Sequence, residues 1–339
     1  MAPGAVLLRT LASEVCGTDV HLFHGRLAGV PYPLIPGHVS VGRVEETGGE
    51  VRDADDIILS PGDTVVFYDV VRACGQCYAC SVALTPTRCP HRKVYGITLP
   101  AEKPQGGWAT HIYLEPGTRM LKLPEGLSVE DYMGGGCGLH TGFMAAERAH
   151  ISIGSSVLVV GSGPVGLSAA AFARLAGAGK VLVSGAPASR LEAAQQMEVD
   201  TTFDISGTQP ADRLAWSREE TEGRGPDIVI EAAGRPEAVV ESFEMVREGG
   251  TVVIAGQYTD VGDVAFNPHH HLNRKQLEVR GSFGFEFRHF YRATRAIATI
   301  GRRFPWRSLI SRDYALGDAA KALDDVANLK VVKAIIRPN

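Results

Sequence analysis

Two different rhythms of apolar residues run along the chain. Up to about residue 135 the apolar runs are short, as at 39–44 and 64–68. Turn signals such as Pro36-Gly37 and Ser60-Pro61-Gly62-Asp63 separate them. Short strands broken by Gly and Pro predict a β-rich, partly open barrel rather than helices. From about residue 139 mainly apolar runs appear at 157–160, 181–184, 228–231, 251–255 and 277–281, with helix-like stretches between several of them. A strand buried on both faces reads as an unbroken apolar run, and its alternation with helices predicts a doubly wound parallel sheet. The tail from about 284 carries helix-like stretches near 289–300 and 317–329 and a last apolar strand at 331–336. The predicted fold class is α/β. The segment 73–92 has little apolar periodicity, so something other than a core must hold it.

Composition narrows the picture. The chain has 339 residues, room for two domains. Hydrophobic residues make up 45% and charged residues 21%, an ordinary globular balance. A net charge of −4 offers no polyanion-binding surface, which argues against nucleic acid as a partner. Residues 151–173 carry no charge and are long enough to span a bilayer. Gly154, Gly161, Gly163, Pro164 and Gly166 within them fit a strand, a turn and a helix better. No membrane span is expected. No signal peptide is visible, so the expected compartment is the cytoplasm.

The glycines at 161–166 carry the first chemistry. Gly161-Ser162-Gly163-Pro164-Val165-Gly166 follows the apolar run 157–160 and opens a helical pattern at 165–176. In that context the match is a dinucleotide fingerprint. Gly161 permits the tight turn, Gly163 lets the backbone approach a pyrophosphate, and Gly166 lets the helix sit close to the strand. The helix start offers N–H groups and a positive dipole to the phosphates. The second strand usually ends in an acidic residue that holds the ribose hydroxyls and repels a 2′-phosphate. Here it ends Ser184-Gly185, so that barrier to NADP is missing. Arg190 downstream is placed to pair with a 2′-phosphate or to rest on the ribose. NAD and NADP both fit, with NADP slightly favoured.

Six cysteines carry the second chemistry. Cys74, Cys77, Cys80 and Cys89 form C-x2-C-x2-C-x8-C. Four thiolates in a compact loop close a tetrahedral shell on zinc, a structural role that would hold the segment 73–92. Disulfides are the rival reading, and they belong mainly to small secreted domains. Cys16 and Cys137 stand alone, with Pro36-Gly37-His38 between them. Two Cys and one His with an open fourth position make a catalytic zinc site, although spacing alone does not bring the three together. The run His269-His270-His271 has no cysteine nearby and reads as a loop or helix start.

Five motifs in order resemble the zinc-containing alcohol dehydrogenases of the medium-chain dehydrogenase/reductase superfamily. They are Cys16-Gly17-Thr18-Asp19-Val20-His21, Pro36-Gly37-His38, the four-cysteine loop, Gly136-Cys137-Gly138-Leu139-His140-Thr141-Gly142 and the fingerprint 161–166. The resemblance spans nearly the whole chain and gives every cysteine a place. It implies a GroES-like barrel catalytic domain at 1–138 and 284–339, with a structural-zinc loop at 73–92. It implies a Rossmann dinucleotide-binding domain at 139–283. Cys16, His38 and Cys137 would then hold one catalytic zinc, and the four clustered cysteines one structural zinc. Thr18 would take the substrate proton and His21 pass it outward through the cofactor ribose. Asp19 would orient His38, Thr141 pack on the nicotinamide, and Lys333 lie near the pyrophosphate.

The implied reaction moves hydride between NAD(P)(H) and an alcohol or carbonyl. Zinc lowers the pKa of a bound alcohol, Thr18 conducts the proton, and His21 has the pKa of a solvent-end acceptor. Leu27, Val70, His24 and His140 would line a mixed pocket, compatible with a secondary alcohol, polyol, cyclitol or the matching ketone. Relatives commonly form homodimers or homotetramers. The chain departs from the pattern at Val39, where a Glu near the metal is common, at Gly185, and in a short stretch before Cys16. The fourth clustered cysteine also lies one residue late. Two rival functions remain: a zinc-independent reductase of quinones or enones, and a non-catalytic NAD(P)-binding zinc protein. The first has no use for Cys16, His38 and Cys137, and the second none for Thr18 and His21.

Overall fold

The structure is a computed structural model describing residues 1–338. The chain forms two compact units: Met1–Gly136 with Phe285–Thr299 and Trp306–Asn339, and Cys137–Gly284 with Ile300–Pro305. The first unit opens with β1 (Val6–Val15) and α1 (Gly17–Phe23). It continues through β2 (Ser40–Thr47), β3 (Thr64–Phe67), β4 (Val70–Arg72), α2 (Tyr78–Ser81), β5 (Lys93–Val94), β6 (His111–Leu114) and β7 (Met120–Lys122). A helix, α3 (Val129–Ala149), leads out of it and is broken at Gly136.

The second unit alternates strand and helix, as its apolar rhythm predicts. Its elements are β8 (Ser156–Val160), α4 (Pro164–Leu175), β9 (Lys180–Gly185), α5 (Ala188–Gln196), β10 (Thr201–Asp204), α6 (Pro210–Glu219), β11 (Ile228–Glu231), α7 (Pro236–Met245), β12 (Thr251–Ile254) and β13 (Glu278–Gly281). The sheet runs β10-β9-β8-β11-β12-β13, with every pair parallel. Leu158, Leu182, Val229, Phe243 and Val252 fill its core. At the carboxyl edge the wholly buried Glu231 accepts N–H groups from Ala233, Gly234 and Gly256. Burial pushes its carboxyl pKa up, and those donors oppose the shift. The loops after β11 and β12 are tied together at that point.

The chain then returns to the first unit with α8 (Phe287–Ala298), β14 (Ile310–Ala315), α9 (Ala319–Ala327) and β15 (Lys333–Arg337). The sheet there runs β14-β15-β1-β2-β3-β7, with β6 also paired to β1. It is antiparallel except for β14 with β15. Val6, Leu8, Val65, Ile112 and Met120 pack in one cluster, and Val15, Tyr314, Ala334 and Ile336 in another. β1 is the organising strand, bonded to β2, β6 and β15. Its sequence hides it, because Arg9, Thr10, Ser13 and Glu14 interrupt the apolar run, yet Thr10, Ser13 and Glu14 are buried. Among the described residues no helix is long and apolar enough to cross a membrane.

Candidate metal and cofactor sites

The ligand atoms of Cys16, His38 and Cys137 lie within 4.8 Å of one another, and no fourth Cys, His, Asp or Glu of the described residues joins them. Each arrives by a different local device. Cys16 is the residue on which β1 ends and α1 begins. His38 follows Gly37, where a Cβ would stand 2.6 Å from the Trp108 ring and 2.8 Å from the Gly107 nitrogen. Cys137 follows Gly136, whose φ of +51° breaks α3 just before it. A left-handed residue inside a helix favours glycine, because any other side chain meets its own backbone.

His38 is buried, with Nε2 3.7 Å from Cys16 Sγ and Nδ1 3.7 Å from Asp19 Oδ1. Bond lengths of ~2.3 Å to sulfur and ~2.0 Å to nitrogen in a tetrahedron set that S···N distance at roughly 3.6 Å. Two thiols and an imidazole at this spacing fit a zinc ion. Asp19 serves two ligands at once. Its Oδ2 accepts the Cys16 backbone N–H at 2.9 Å, while Oδ1 faces the far side of the His38 ring. A carboxylate behind a ligating imidazole fixes the tautomer and raises the basicity of the other nitrogen. Thr18 and His21 sit three residues apart on α1, a spacing that puts side chains on one helix face. Burial, then Arg26 and His24, hold the His21 imidazole below its ordinary pKa. Val39 is buried and offers no carboxylate.

The ligand atoms of Cys74, Cys77, Cys80 and Cys89 form a second cluster within the same 4.8 Å limit, and no disulfide joins any of the six cysteines. Cys77 Sγ and Cys80 Sγ are 3.5 Å apart. Backbone N–H groups point at the sulfurs, from Cys77 to Cys74 at 3.3 Å and from Cys74 to Cys89 at 3.4 Å. The N–H groups of Gln76 and Cys77 pull the Cys74 thiol down to about 6. Desolvation and the neighbouring sulfurs push Cys80 up to about 12, although the Gly75 N–H opposes the rise. Four crowded thiols resist shared ionisation unless a cation is present, and this donor set fits a closed zinc shell.

In the second unit the fingerprint turn joins β8 to α4. Gly161 has φ +115° and lies against the backbone of Ala232 and Ala233. Pro164 and Val165 begin α4, so its first N–H groups face the turn. Gly166 is buried against Gly161. Gly185 is more than a missing acid. A Cβ there would stand 2.7 Å from Ser162 Cβ and 2.8 Å from Ser162 N. The Arg190 guanidinium is desolvated, which lowers its pKa, and lies 3.8 Å from where a Gly163 Cβ would be. Thr141 is half-buried and His140 buried on α3. His269–Asn273 forms one wide helical turn, and the histidine run joins no ligand cluster among the described residues. His270 and His271 instead line a cavity of about 700 Å³ with Arg218, Arg247, Arg274 and Lys275.

The structure gives Lys333 partners that the resemblance does not name. Its side chain is wholly buried, and its ammonium donates to Glu14 Oε1 at 2.5 Å and to the Gly135 carbonyl at 3.0 Å. These partners hold the charge that the resemblance directs to a pyrophosphate. Glu14 and Glu231 are residues that the sequence reading passes over. Glu231 has a signal, a lone carboxylate ending the otherwise apolar β11, whereas Glu14 has none on the polar-looking β1.

Comparison with known proteins gives a consistent result. A family profile described as zinc-binding dehydrogenase matches residues 164–299, and one described as alcohol dehydrogenase GroES-like domain matches residues 2–125. The chain is 30% identical over 338 residues to the 5-exo-hydroxycamphor dehydrogenase of Pseudomonas putida, covering 99% of this chain and 92% of that protein. It is similar in structure to an alcohol dehydrogenase from Thermotoga maritima, with a TM-score of 0.94 and 33% identity over 100% of this chain and 93% of that one. It is also similar to a zinc-binding dehydrogenase of Sinorhizobium meliloti 1021 solved with NADP bound. There the TM-score is 0.87 and the identity 29%, over 100% of this chain and 93% of that one.

Proposed function

The chain belongs to the zinc-containing alcohol dehydrogenases of the medium-chain dehydrogenase/reductase superfamily, and from that premise we propose that it interconverts a secondary alcohol or polyol and the matching ketone with NADP(H). Membership makes it an NAD(P)-dependent oxidoreductase acting on CH–OH groups. The observation that carries the finer reading is the convergence of Cys16, His38 and Cys137, with Asp19 behind His38. A zinc ion held there supplies a Lewis acid that lowers the pKa of a substrate hydroxyl.

The chain's own residues move the proton. The Thr18 hydroxyl cannot titrate near neutrality, so it conducts the proton rather than storing it. His21, held below the ordinary imidazole value, is neutral at pH 7 and ready to accept. The crowding at Gly185 and the cation at Arg190 support NADP over NAD. The relative that acts on a hydroxycamphor supports an alcohol on a hydrocarbon framework, in keeping with the buried Val70 and half-buried Leu27. The four-cysteine loop takes a second, structural zinc. A homo-oligomer is supported by β13, which ends the parallel sheet with an open edge.

Zinc per chain, measured by elemental analysis in the native protein and in Cys16→Ala, tests the reading. Two zincs falling to one, with hydride transfer lost, is the expected result. One zinc in both proteins would put the zinc-independent and non-catalytic readings ahead.

A further inference from the structure

All three segments that carry the candidate catalytic ligands meet at Glu14, whose backbone holds the His38 segment and whose carboxylate forms a buried ion pair with Lys333. Glu14 lies two residues before Cys16 on β1. Its backbone N–H donates to the carbonyl of Val39, the residue after His38, at 3.0 Å. Its carbonyl accepts the Trp108 indole N–H at 3.0 Å, and the Trp108 ring packs against Gly37, the residue before His38. Its carboxylate takes the Lys333 ammonium, which also bonds the carbonyl of Gly135, two residues before Cys137. Gly136 covers the pair so closely that a Cβ there would stand 2.5 Å from Lys333 Nζ. Both side chains are at most 1% exposed.

We propose that Glu14 and Lys333 are positioning residues for the catalytic metal site, locking the Cys16, His38 and Cys137 segments into one geometry. The inference rests on the zinc reading above. Burying both charges is a poor source of stability, since desolvation offsets much of the attraction. What such a pair supplies is a fixed geometry: a rigid ammonium bridging a carboxylate and a carbonyl allows one placement of the chain at 135–137. Ligand geometry of this kind is set by the groups around the ligands as much as by the ligands.

The test is the rate at which a colorimetric chelator removes zinc from the folded protein. Cys16→Ala marks which of the two release phases belongs to the three-ligand site. In Lys333→Met and Glu14→Gln that phase should quicken at least about tenfold, the low end for loss of an outer partner of a metal ligand. The four-cysteine phase should be unchanged and serves as the internal control. Lys333→Arg should restore slow release, and the Kd for NADPH, read by fluorescence titration, should stay within about twofold of wild type.

If an orphaned charge prevents folding, the double variant Glu14→Leu with Lys333→Met removes both charges, and it should still release the three-ligand zinc faster. Wild-type release rates in a folded variant overturn the proposal. So does a weakened Kd for NADPH with unchanged release, which would return Lys333 to the pyrophosphate. Equal quickening of both phases with a lowered Tm would reduce the pair to general stability. A wild type lacking the Cys16-dependent phase overturns the zinc reading itself, and this inference with it.

Discussion

The two cysteine clusters reach similar ligand spacing by opposite routes. Cys74, Cys77, Cys80 and Cys89 lie in one short loop where α2 buries no residue. Tyr78, Val82 and Leu84 there are 64–73% exposed. The loop is anchored at its far end, where the Thr87 hydroxyl and N–H donate to Glu286 in a buried contact. Cys16, His38 and Cys137 come from three distant segments, yet each neighbour is fixed: His38 and Asp19 are at most 3% exposed, and Glu14 and Lys333 lie beneath them in the chain's own packing. The first cluster has ligands and almost no core. The second is backed by buried neighbours, with His38 itself buried and Cys16 and Cys137 half-buried. On the proposed reading, a metal would build the first and enter the second with its frame already in place.

The largest effect expected from this contrast follows removal of one ligand from each cluster. Cys77→Ser should release the loop zinc and quicken amide hydrogen exchange by more than about a hundredfold over residues 74–84, because metal binding supplies most of the loop's folding energy. Protection near Thr87 should persist through Glu286. Cys16→Ala should leave exchange in β1 and β2 unchanged while zinc falls by one. If Cys16→Ala instead loosens β1, the second cluster is metal-built as well, and the contrast fails.

The same contrast explains what could be read from the sequence. The four-cysteine loop is legible because all its ligands are close together in the chain. The fingerprint at 161–166 is legible because its work is done by one turn, and the parallel sheet because each strand is a single apolar run. β1 was hidden, since its buried Thr10, Ser13 and Glu14 make a core strand look polar. The Glu14–Lys333 pair was hidden more deeply. Its partners stand at opposite ends of the chain, and neither residue shows alone that it is buried beside the other. For Lys333 the resemblance supplies a residue type at a position, while the partner that pairs with its charge is set by the packing of this chain.

A smaller effect asks whether the cofactor site resembles the second cluster in being built by packing. Arg190 is already desolvated against Gly163, and Gly185 is already closed on Ser162. Arg190→Ala should weaken NADPH binding about tenfold, as expected for loss of a charge-assisted hydrogen bond. NADH binding should change by less than about twofold if the arginine reads the 2′-phosphate. Equal losses for the two cofactors, measured by fluorescence titration, would assign Arg190 to the ribose and remove the preference for NADP. The Glu231 clasp offers a stability counterpart. Glu231→Ala would leave the Ala233 and Gly234 N–H groups without that acceptor, while Gly256 keeps the Glu231 backbone carbonyl, and should lower stability by roughly 2 kcal/mol, measured by urea denaturation.

The smallest effect concerns His21, which sits on α1 beside the prebuilt site. Its pKa lies below the ordinary 6.5 because burial disfavours the charged ring, with Arg26 and His24 adding repulsion. The unfolded chain binds the proton more readily than the folded one, so this group's contribution to stability falls as pH drops below 6.5. In the relay proposed above, alcohol oxidation needs the neutral ring as acceptor, so its rate should rise with pH along an acid limb centred below 6.5. His21→Gln should remove that limb. Arg26→Ala should move it upward yet leave it below 6.5, since burial, the larger cause, remains. A limb that stays in place in both variants would mean that another group titrates, and Thr18 would then hand its proton elsewhere.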